Sequence, residues 1–476
     1  MEIDEEVRHS KLNMLSYGAG SGAREFVNMA FGATVYYYYE SVIGLNGWIV
    51  ALAMVFFALY NMFNDPLLGY LTERPFRFTK KWGRRFPWLM ISGIPLGLSY
   101  FAVFWPPVTD PISGAWILFV WLLFTACLFD TFHSLFFVSY LSLFPEKYRS
   151  NKERRIASGI YIPVGVIGVA LGAMIPPLVF KYPGQAPHDV VLMSFIVQGI
   201  VIALICLVGV LLAIPGYRED RDSIESYLAI YEKNPKREPF FKTLALALKQ
   251  KSFIVYMVIY TMYQSQISTM QNSINYAVSF VITPVSYLSI NLMATLIFAA
   301  FLVAVIISTP FWLKYSHKVN NNKKVMLIAS IFLGIFTLPL LFLRNYIAVV
   351  VVMFLWGLPL GGFWFMIFPV MSDVIDEAAL RHEQPKEAVY SGFSQFFGRL
   401  GIVAQSLTFA LVHFFTGFKE GALTQVPSAQ VGIQIHLGLI PAIFIFVGAL
   451  IFWKYYKLTP EKLDGIQLRL KEMGIK

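Results

Sequence analysis

Cysteine and charged residues are both scarce in this chain of 476 residues. Its two cysteines, Cys127 and Cys206, lie in apolar stretches, and charged residues make up 14% of the chain against 57% hydrophobic. Two such cysteines predict neither a disulfide framework nor a thiolate metal site. This hydrophobic fraction exceeds what a soluble domain buries. The composition therefore excludes an ordinary soluble protein and predicts an integral membrane protein.

Several site signatures are also missing from the sequence. There is no Gly-rich loop ending in Lys-Ser/Thr, so ATP-driven transport has no support. We find no nucleophile–base constellation, so we expect no enzyme. We also expect no cofactor and no metal site, because six of the seven histidines lie along the chain without ligand spacing: His133, His188, His317, His382, His413 and His436.

The net charge of +10 is concentrated in loops between apolar spans. This distribution argues against nucleic-acid binding and favours contact with anionic lipid headgroups. Alternate loops are rich in Lys and Arg, which predicts that both termini face the cytoplasm. The first residues lack the basic region of a signal peptide, so we expect the first span to be retained. We expect a monomeric, multi-pass protein of the plasma (cytoplasmic) membrane.

Twelve hydrophobic spans are long enough to cross a bilayer. Their predicted limits are 14–43, 47–73, 86–106, 112–144, 156–180, 188–215, 252–283, 285–314, 323–343, 345–374, 389–417 and 432–457. The division that follows is an N-terminal six-helix bundle (1–215), a cytoplasmic linker (216–251), a C-terminal six-helix bundle (252–457) and a cytoplasmic tail (458–476). We predict a tail helix on the membrane surface, and a substrate site between the two bundles.

The second span carries the strongest functional signal. Asp65 follows an apolar run and precedes a loop rich in Arg and Lys. A carboxylate inside a span is costly and marks a functional site by default. Together with the basic loop, it indicates a secondary transporter.

Other spans also contain charged residues. Asp130 lies deep in the fourth span, Arg24 and Glu25 lie about ten residues into the first, and Arg399 lies in the eleventh. Unpaired charges at such depth are prohibitive, so each must pair or line water.

Several segments together resemble the melibiose permease-like glycoside–pentoside–hexuronide:cation symporters of the major facilitator superfamily. They are residues 64–69 (Asn-Asp-Pro-Leu-Leu-Gly), 82–88 (Trp-Gly-Arg-Arg-Phe-Pro-Trp), 22–26, 36–40, Asp130, 372–377 and 396–401. The resemblance implies an all-α membrane protein with twelve transmembrane helices in two six-helix bundles. It also implies cation-coupled uptake of a sugar, glycoside or related polar solute by alternating access.

Two positions depart from the family pattern. Asn61 stands where sodium-coupled members commonly carry a carboxylate, which favours a proton over sodium as the coupling ion. The stretch from Ile156 to Ile162 lacks the arginine usual in sugar carriers. That absence leaves open a lysolipid or other amphipath as the substrate. A membrane enzyme or a non-transporting receptor is the remaining alternative, without a supporting motif.

These considerations assign roles to three groups of residues. The predicted cation-coupling residues are Asp65, Asn61, Asn64 and Asp130. The predicted substrate-binding residues are Glu25, Arg24, Asp130, Tyr36, Trp364 and Arg399. The predicted conformational latch comprises Glu73, Arg74, Arg84, Arg85 and Asp373, with Glu73 as a partner for the arginines.

Each group also has a purely structural interpretation. The carboxylates could form hydrogen bonds that only tie helices together, and Arg24 could form a structural ion pair with Glu25. Most of Tyr36 to Tyr39 are expected in an interfacial aromatic belt, with Glu40 at the outer surface. Packing would equally explain Trp364.

Overall fold

The computed structural model describes residues 7–72, 76–148, 150–221, 224, 248–382, 393 and 396–473. Its contacts divide the chain into two compact units, residues 1–49 with 59–237 and residues 50–58 with 238–476. The helices of the first half are α1 (Lys11–Tyr37, continued by a π-helix over Tyr38–Ile43), α2 (Gly47–Thr72), α3 (Thr79–Trp82), α4 (Phe86–Val103), α5 (Ala115–Lys147), α6 (Asn151–Val179) and α7 (His188–Tyr217).

The second half is also helical. Its elements are α8 (Lys251–Phe280), α9 (Ile290–Val319), α10 (Asn322–Thr337, continued by a 3₁₀ turn over Leu338–Leu341), α11 (Tyr346–His382), α12 (Leu400–Thr416), α13 (Pro427–Gln434), a π-helix (Ile435–Leu439), α14 (Ile440–Tyr455) and α15 (Pro460–Glu472). The described residues contain one isolated β-bridge, between Thr283 and Asn345.

Ten helical spans among the described residues are long and apolar enough to cross a membrane. The other two long helices, α1 and α8, correspond to the first and seventh predicted spans and carry more polar residues. They are also closely enclosed by their neighbours: 16 of the 27 residues of α1 and 20 of the 30 residues of α8 are buried. Helices in such positions face protein rather than lipid, so they tolerate polar side chains.

Three hydroxyl groups of α8 form hydrogen bonds within the helix itself. Ser265, Thr269 and Ser273 each donate a hydrogen bond to the carbonyl oxygen four residues earlier, at 2.6–2.8 Å. This back-bonding satisfies hydroxyl groups away from water. It leaves their lone pairs available to groups on neighbouring helices.

Close approach of α1 and α6 organises the first unit. A Cβ atom added at Gly168 would lie 2.3 Å from the Gly22 carbonyl oxygen, and one added at Gly172 would lie 2.2 Å from the Phe26 carbonyl oxygen. Small residues let membrane helices pack backbone to backbone. This packing fixes the position of the Arg24–Glu25 segment of α1.

We expect Gly168→Ala to lower the thermal stability of the purified protein markedly, by about 1–3 kcal/mol, because the new methyl group forces the two backbones apart. Gly159→Ala on the same helix is the matched control, since a Cβ there meets no atom within 4 Å. Thermal unfolding in detergent measures both variants. Equal melting temperatures for the two would show that this contact is not tight.

Two expectations for the ends of helices are wrong. Tyr36, Tyr37, Tyr38 and Tyr39 are all at most 1% exposed, and Glu40 is fully buried. They do not form an interfacial belt, because neighbouring helices enclose this part of α1 on all sides. The hydroxyls of Tyr39 and Tyr38 donate to the carbonyls of Val103 and Phe104, at 2.8 and 3.3 Å.

The tail helix α15 also differs from the prediction of a membrane-surface helix. It packs on α11, with Ile466 and Leu470 buried. Lys462 lies 3.4 Å from the carboxylate of Glu377 on α11. The apolar face that suggested lipid contact is therefore covered by the second unit.

Candidate functional site

Asn64 and Asp130 meet where α2 packs on α5. The Asn64 amide nitrogen donates to Asp130 Oδ2 at 3.2 Å, and the Ser134 hydroxyl lies 3.5 Å from the same oxygen. Asp130 is 2% exposed and Asn64 4% exposed. A carboxylate buried to this degree requires donors or a cation close by.

A pair of hydroxyl groups, those of Tyr60 and Thr131, borders this contact. The Thr131 hydroxyl donates to the Cys127 carbonyl at 2.8 Å, so the Tyr60 hydroxyl is the donor in its 2.7 Å contact with Thr131. The Asn64 amide oxygen lies 3.4 Å from the Tyr60 oxygen. Because the Tyr60 proton is engaged by Thr131, the Asn64 oxygen keeps its acceptor capacity.

Asn61 lies one turn before Asp65 on α2. Its amide nitrogen and oxygen are both buried, and neither forms a hydrogen bond within the described part of the chain. An orphaned buried amide costs about 1–3 kcal/mol. Asp65 is partly exposed on the same face of the helix. The amide and carboxylate oxygens of this region suit a hard cation, which prefers oxygen ligands.

Arg24 connects α1 to the same helix α5. Its guanidinium is paired with the adjacent Glu25 carboxylate. It also lies 3.5 Å from His133 Nε2, and its central carbon is 4.4 Å from the centre of the Phe137 ring. Since Arg donates only, His133 accepts through Nε2 and carries its proton on Nδ1. Phe137 adds a cation–π contact.

One face of α5 therefore contacts both Asn64 and Arg24. Asp130, His133, Ser134 and Phe137 stand at spacings of three, four and seven residues, which is one helical face. The Asn64 contact lies at one end of this stripe and the Arg24 contacts at the other. Sequence reasoning missed the contacts of His133 and Phe137 with Arg24, although this periodicity counted from Asp130 could have revealed them.

A second charged group lies at the start of α4. Glu146 Oε1 is 3.1 Å from Arg85 Nη2 and 3.5 Å from Arg84 Nη1. The Glu219 carboxylate accepts from the backbone N–H groups of Arg84, Arg85 and Phe86, at 3.0, 2.5 and 3.0 Å. We call Arg84, Arg85, Glu146 and Glu219 the α4 cluster. The expected partner Glu73 and the latch residue Arg74 lie outside the described residues, and the described partner of Arg84 and Arg85 is Glu146.

Glu219 acts as a tertiary cap on α4. Burial raises its pKa, and the three backbone N–H donors oppose that rise. The folded pKa lies above the unfolded value, so the stability contributed by this group falls as pH rises through that interval. Gly83 has φ of 92°, and a Cβ there would lie 2.6 Å from Glu219 Oε1. The Gly-Arg-Arg motif thus needs its glycine both for backbone conformation and to admit Glu219.

We expect Glu219→Ala to destabilise the protein by about 2 kcal/mol, since it removes the acceptor of three N–H groups at a helix start. Glu219→Gln keeps one acceptor oxygen, so it should lose less stability and should remove this group's pH dependence. Asp464→Ala, at an exposed position of α15, is the control. Thermal unfolding followed from pH 4 to pH 8 distinguishes the three variants, and indistinguishable curves would exclude the capping role.

The remaining predicted residues belong to the second unit. Trp364 on α11 is partly exposed and donates its indole N–H to the Tyr263 hydroxyl. Arg399 is the residue immediately before α12, near the start of the apolar span Phe396–Thr416. Asp373 accepts from the Asn322 amide at 2.9 Å. Glu377, one turn further on, is bound by both Ser252 and Gln250 of the α8 start.

Comparisons with known proteins place the chain among transporters. The family model described as MFS/sugar transport protein matches residues 16–460. The sodium-dependent lysophosphatidylcholine symporter 1 of Gallus gallus is 22% identical over 493 residues, covering 96% of this chain and 88% of that protein. The sphingosine-1-phosphate transporter MFSD2B of Xenopus tropicalis is 21% identical over 500 residues, covering 98% and 92%.

The fold is shared with solved structures of the major facilitator superfamily. The crystal structure of the nucleoside transporter NupG matches with a TM-score of 0.62 at 13% identity, covering 94% of this chain and 99% of that one. At this identity the likeness shows the fold alone, and it confirms the predicted all-α major facilitator architecture. The relatives and structural neighbours are transporters, and this chain is not an enzyme. The chain belongs to the MFS/sugar transport protein family of major facilitator transporters.

Proposed function

We propose that this protein is a sodium-coupled symporter of a lysolipid with a charged headgroup. The observation that carries the proposal is that a single face of α5 makes two contacts. Asp130 on this face contacts Asn64. His133 and Phe137 on the same face contact Arg24. A cation bound at one end of this face can act on a headgroup bound at the other.

The choice of substrate differs from the one that the sequence ranks first. The resemblance implies a sugar, whereas relatives that match nearly the whole chain are named for lysophosphatidylcholine and sphingosine-1-phosphate. The neighbouring charges of Arg24 and Glu25 are complementary to a zwitterionic headgroup. Arginine binds phosphate through paired N–H donors, and the Glu25 carboxylate offers a negative charge for a quaternary or primary ammonium group.

Sodium, rather than a proton, is the coupling ion that the relatives' names support. The oxygens available near Asp130 are those of its carboxylate, the Asn64 amide and the Ser134 hydroxyl, with the Asn61 amide one turn before Asn64. A neutral amide at position 61, in place of a carboxylate, lowers the negative charge of the site and still offers one oxygen ligand. One ionised carboxylate with neutral oxygens suits a monovalent ion better than a divalent one.

In the proposed coupling step, sodium binds the Asp130 carboxylate and replaces the Asn64 amide as its partner. Asn64 then turns its amide oxygen toward the ion, so α2 and α5 adjust against each other. Because His133 and Phe137 lie on the same rigid face of α5, Arg24 is repositioned for the phosphate. The coupling is reciprocal, so bound lysolipid raises the affinity for sodium by the same factor.

The membrane arrangement is part of the proposal. We place both termini in the cytoplasm from the distribution of Lys and Arg, and the protein in the plasma membrane as a monomer. We also keep the predicted boundaries at residues 215, 251 and 457 as the limits of the two bundles, the linker and the tail.

The test is uptake into proteoliposomes under imposed gradients. Fluorescent lysophosphatidylcholine, sphingosine-1-phosphate and radiolabelled melibiose are each presented with an inward sodium gradient, an inward proton gradient or no gradient. Sodium-driven uptake of one of the two lipids supports the proposal. Uptake of melibiose alone, or uptake driven only by protons, overturns it in favour of the sugar–proton alternative.

A further inference from the structure

Three lysines lie together in the second unit, where α14 ends, away from the residues assigned above. Lys323 at the start of α10 donates from Nζ to the carbonyl oxygens of Trp453 and Tyr456, at 2.9 and 2.6 Å. Lys454 belongs to the last turn of α14, and Lys457 follows Tyr456, the C-cap residue of that helix. We call Lys323, Lys454 and Lys457 the α14 lysine group.

Lys323 is fixed in place by its contacts with α14. The last carbonyl groups of a helix have no partner within it and carry partial negative charge, so the ammonium group caps this end. An ammonium group has three hydrogens to donate. Two are used by the carbonyl oxygens, and the part of the chain that the structure describes offers no acceptor for the third. Lys323 is only half-buried, so this hydrogen can reach an acceptor supplied from outside.

Positive charge is in excess around the group. The ammonium groups of Lys323 and Lys457 are close enough to repel each other. Lys454 and Lys457 are exposed, and neither forms an ion pair within the described residues. Three cations are therefore held at one point of the surface.

The acids on the neighbouring elements are not paired with this group within the described residues. Asp373, Asp376 and Glu377 on α11 are buried, and Asp373 and Glu377 bind side chains outside the group. Glu461 and Asp464 on α15 are exposed, and neither forms an ion pair with the group. The group is therefore available to an anion from outside the chain.

Two aromatic side chains place the group at the level of lipid headgroups. Trp453 and Tyr455 flank Lys454, and both are more than half exposed. The Lys454 ammonium lies 5.4 Å from the centre of the Tyr455 ring. The apolar span Pro427–Tyr455 ends at this point, and tryptophan and tyrosine are enriched where such spans leave the hydrocarbon layer. Lysines in this position can reach the phosphate groups of the surrounding bilayer.

The exposed face of α14 that leads to this group is apolar. Ile443, Val447 and Leu450 are exposed, and with Lys454 they stand at spacings of four, three and four residues, which is one helical face. In a membrane span, an exposed apolar face is in contact with acyl chains. Lys454 therefore stands at the headgroup end of a stripe that acyl chains cover. A soluble anion would use only the lysines, whereas a phospholipid uses both features.

We propose that the α14 lysine group binds the phosphate of an anionic phospholipid of the surrounding bilayer, with an acyl chain along Ile443, Val447 and Leu450. Lysine binds phosphate as a point charge, and basic clusters beside membrane helices bind anionic headgroups. The bound lipid offsets the repulsion between Lys323 and Lys457 and so stabilises the junction of α10 with α14. This lipid is distinct from the transported solute, and its site does not depend on the sodium and lysolipid groups.

The first test is native mass spectrometry of the purified full-length protein, titrated with phosphatidylglycerol or with phosphatidylcholine of the same acyl chains. The Lys454→Gln/Lys457→Gln variant should bind phosphatidylglycerol at least about tenfold more weakly than the wild type, since each lysine near a membrane surface contributes about fivefold. The wild type should bind phosphatidylcholine about as weakly as this variant binds phosphatidylglycerol.

The matched control for this test is Lys249→Gln/Lys251→Gln. It removes the same charge from exposed positions at the start of α8, and its affinity for phosphatidylglycerol should stay within about twofold of the wild type. Equal affinities of the wild type for the two lipids, or equal affinities of the wild type and the Lys454→Gln/Lys457→Gln variant for phosphatidylglycerol, overturn the proposal.

The second test is thermal unfolding in detergent, which separates a lipid site from a site for soluble phosphate. Phosphatidylglycerol should raise the melting temperature of the wild type by at least about 3 °C, because a ligand of the folded state stabilises it. Phosphatidylcholine and glycerol 3-phosphate should not, and the Lys454→Gln/Lys457→Gln variant should show no rise. No rise in the wild type, an equal rise with glycerol 3-phosphate, or an equal rise in this variant overturns the proposal. Both tests omit sodium gradients and lysolipids, so their outcome is independent of the function proposed above.

Discussion

Asp130→Asn should reduce sodium-driven accumulation of lysolipid by about 100-fold or more. The substitution keeps the size of the side chain and removes the negative charge that attracts the cation. A loss of this size corresponds to about 2.7 kcal/mol, which is of the same order as the attraction of about 4 kcal/mol between unit charges about 4 Å apart at an effective dielectric constant of about 20. Initial uptake rates in proteoliposomes with an inward sodium gradient measure the effect.

The fold should survive this change, because Asn64 can pair with an amide as well as with a carboxylate. Asp110→Asn, in the exposed loop before α5, is the control and should transport as wild type. Sodium-driven uptake by Asp130→Asn at more than about half the wild-type rate would remove Asp130 from the coupling step.

Arg24→Gln should raise the KM for a phosphate-bearing lysolipid by about 100-fold, because it removes the cation that faces the headgroup. Arg24→Lys keeps the charge but not the paired N–H donors, so it should raise KM by only about tenfold. Concentration dependence of uptake, measured for both variants at saturating sodium, separates the two.

A neutral lipid provides the control for this second prediction. If the protein takes up a monoacylglycerol at all, Arg24→Gln should leave that uptake within about twofold of wild type, since there is no phosphate to bind. Equal losses for the neutral and the phosphate-bearing lipid would mean that Arg24 serves only to hold α1 against α5.

The acids in the spans and the basic loops could be predicted from the sequence, because charged residues are so rare in apolar spans that each one stands out. The helical repeat also places Asp130, Ser134 and Phe137 on one face before any coordinates are known. The residues that contact this face of α5 could not be predicted from the sequence. Contacts such as Arg24 with His133 depend on how α1 packs against α5, a relation between residues 109 positions apart.

The errors share one physical cause. Tyr36 to Tyr39 and the tail helix carry patterns typical of a membrane interface, yet all four tyrosines and the apolar face of α15 are covered by protein. An apolar or amphipathic surface indicates burial without indicating whether lipid or protein covers it. Glu219 shows that polar residues are equally ambiguous. Nothing in the charged stretch around it indicates that this acid caps α4, a helix that begins 133 residues earlier.

The substrate is the other point at which sequence patterns are insufficient. The Gly-Arg-Arg segment forms the junction before α4, where Gly83 and Glu219 explain its pattern structurally, whereas the Asn-Asp-Pro segment lies within α2. A motif that builds a helix junction can be shared by carriers of unlike solutes. In the function that we propose, headgroup chemistry is instead determined by residues such as Arg24 and Glu25, which the junction motif does not include.

The central claim is that sodium at Asp130 and lysolipid at Arg24 bind with a common coupling energy. Equilibrium binding to the purified protein tests it most directly, with the Kd for lysophosphatidylcholine measured with and without sodium and the Kd for sodium measured with and without the lipid. We predict that each ligand lowers the other's Kd by the same factor, at least about fivefold, and that Asp130→Asn abolishes both effects. Lipid binding that is unchanged by sodium in the wild-type protein would contradict this account.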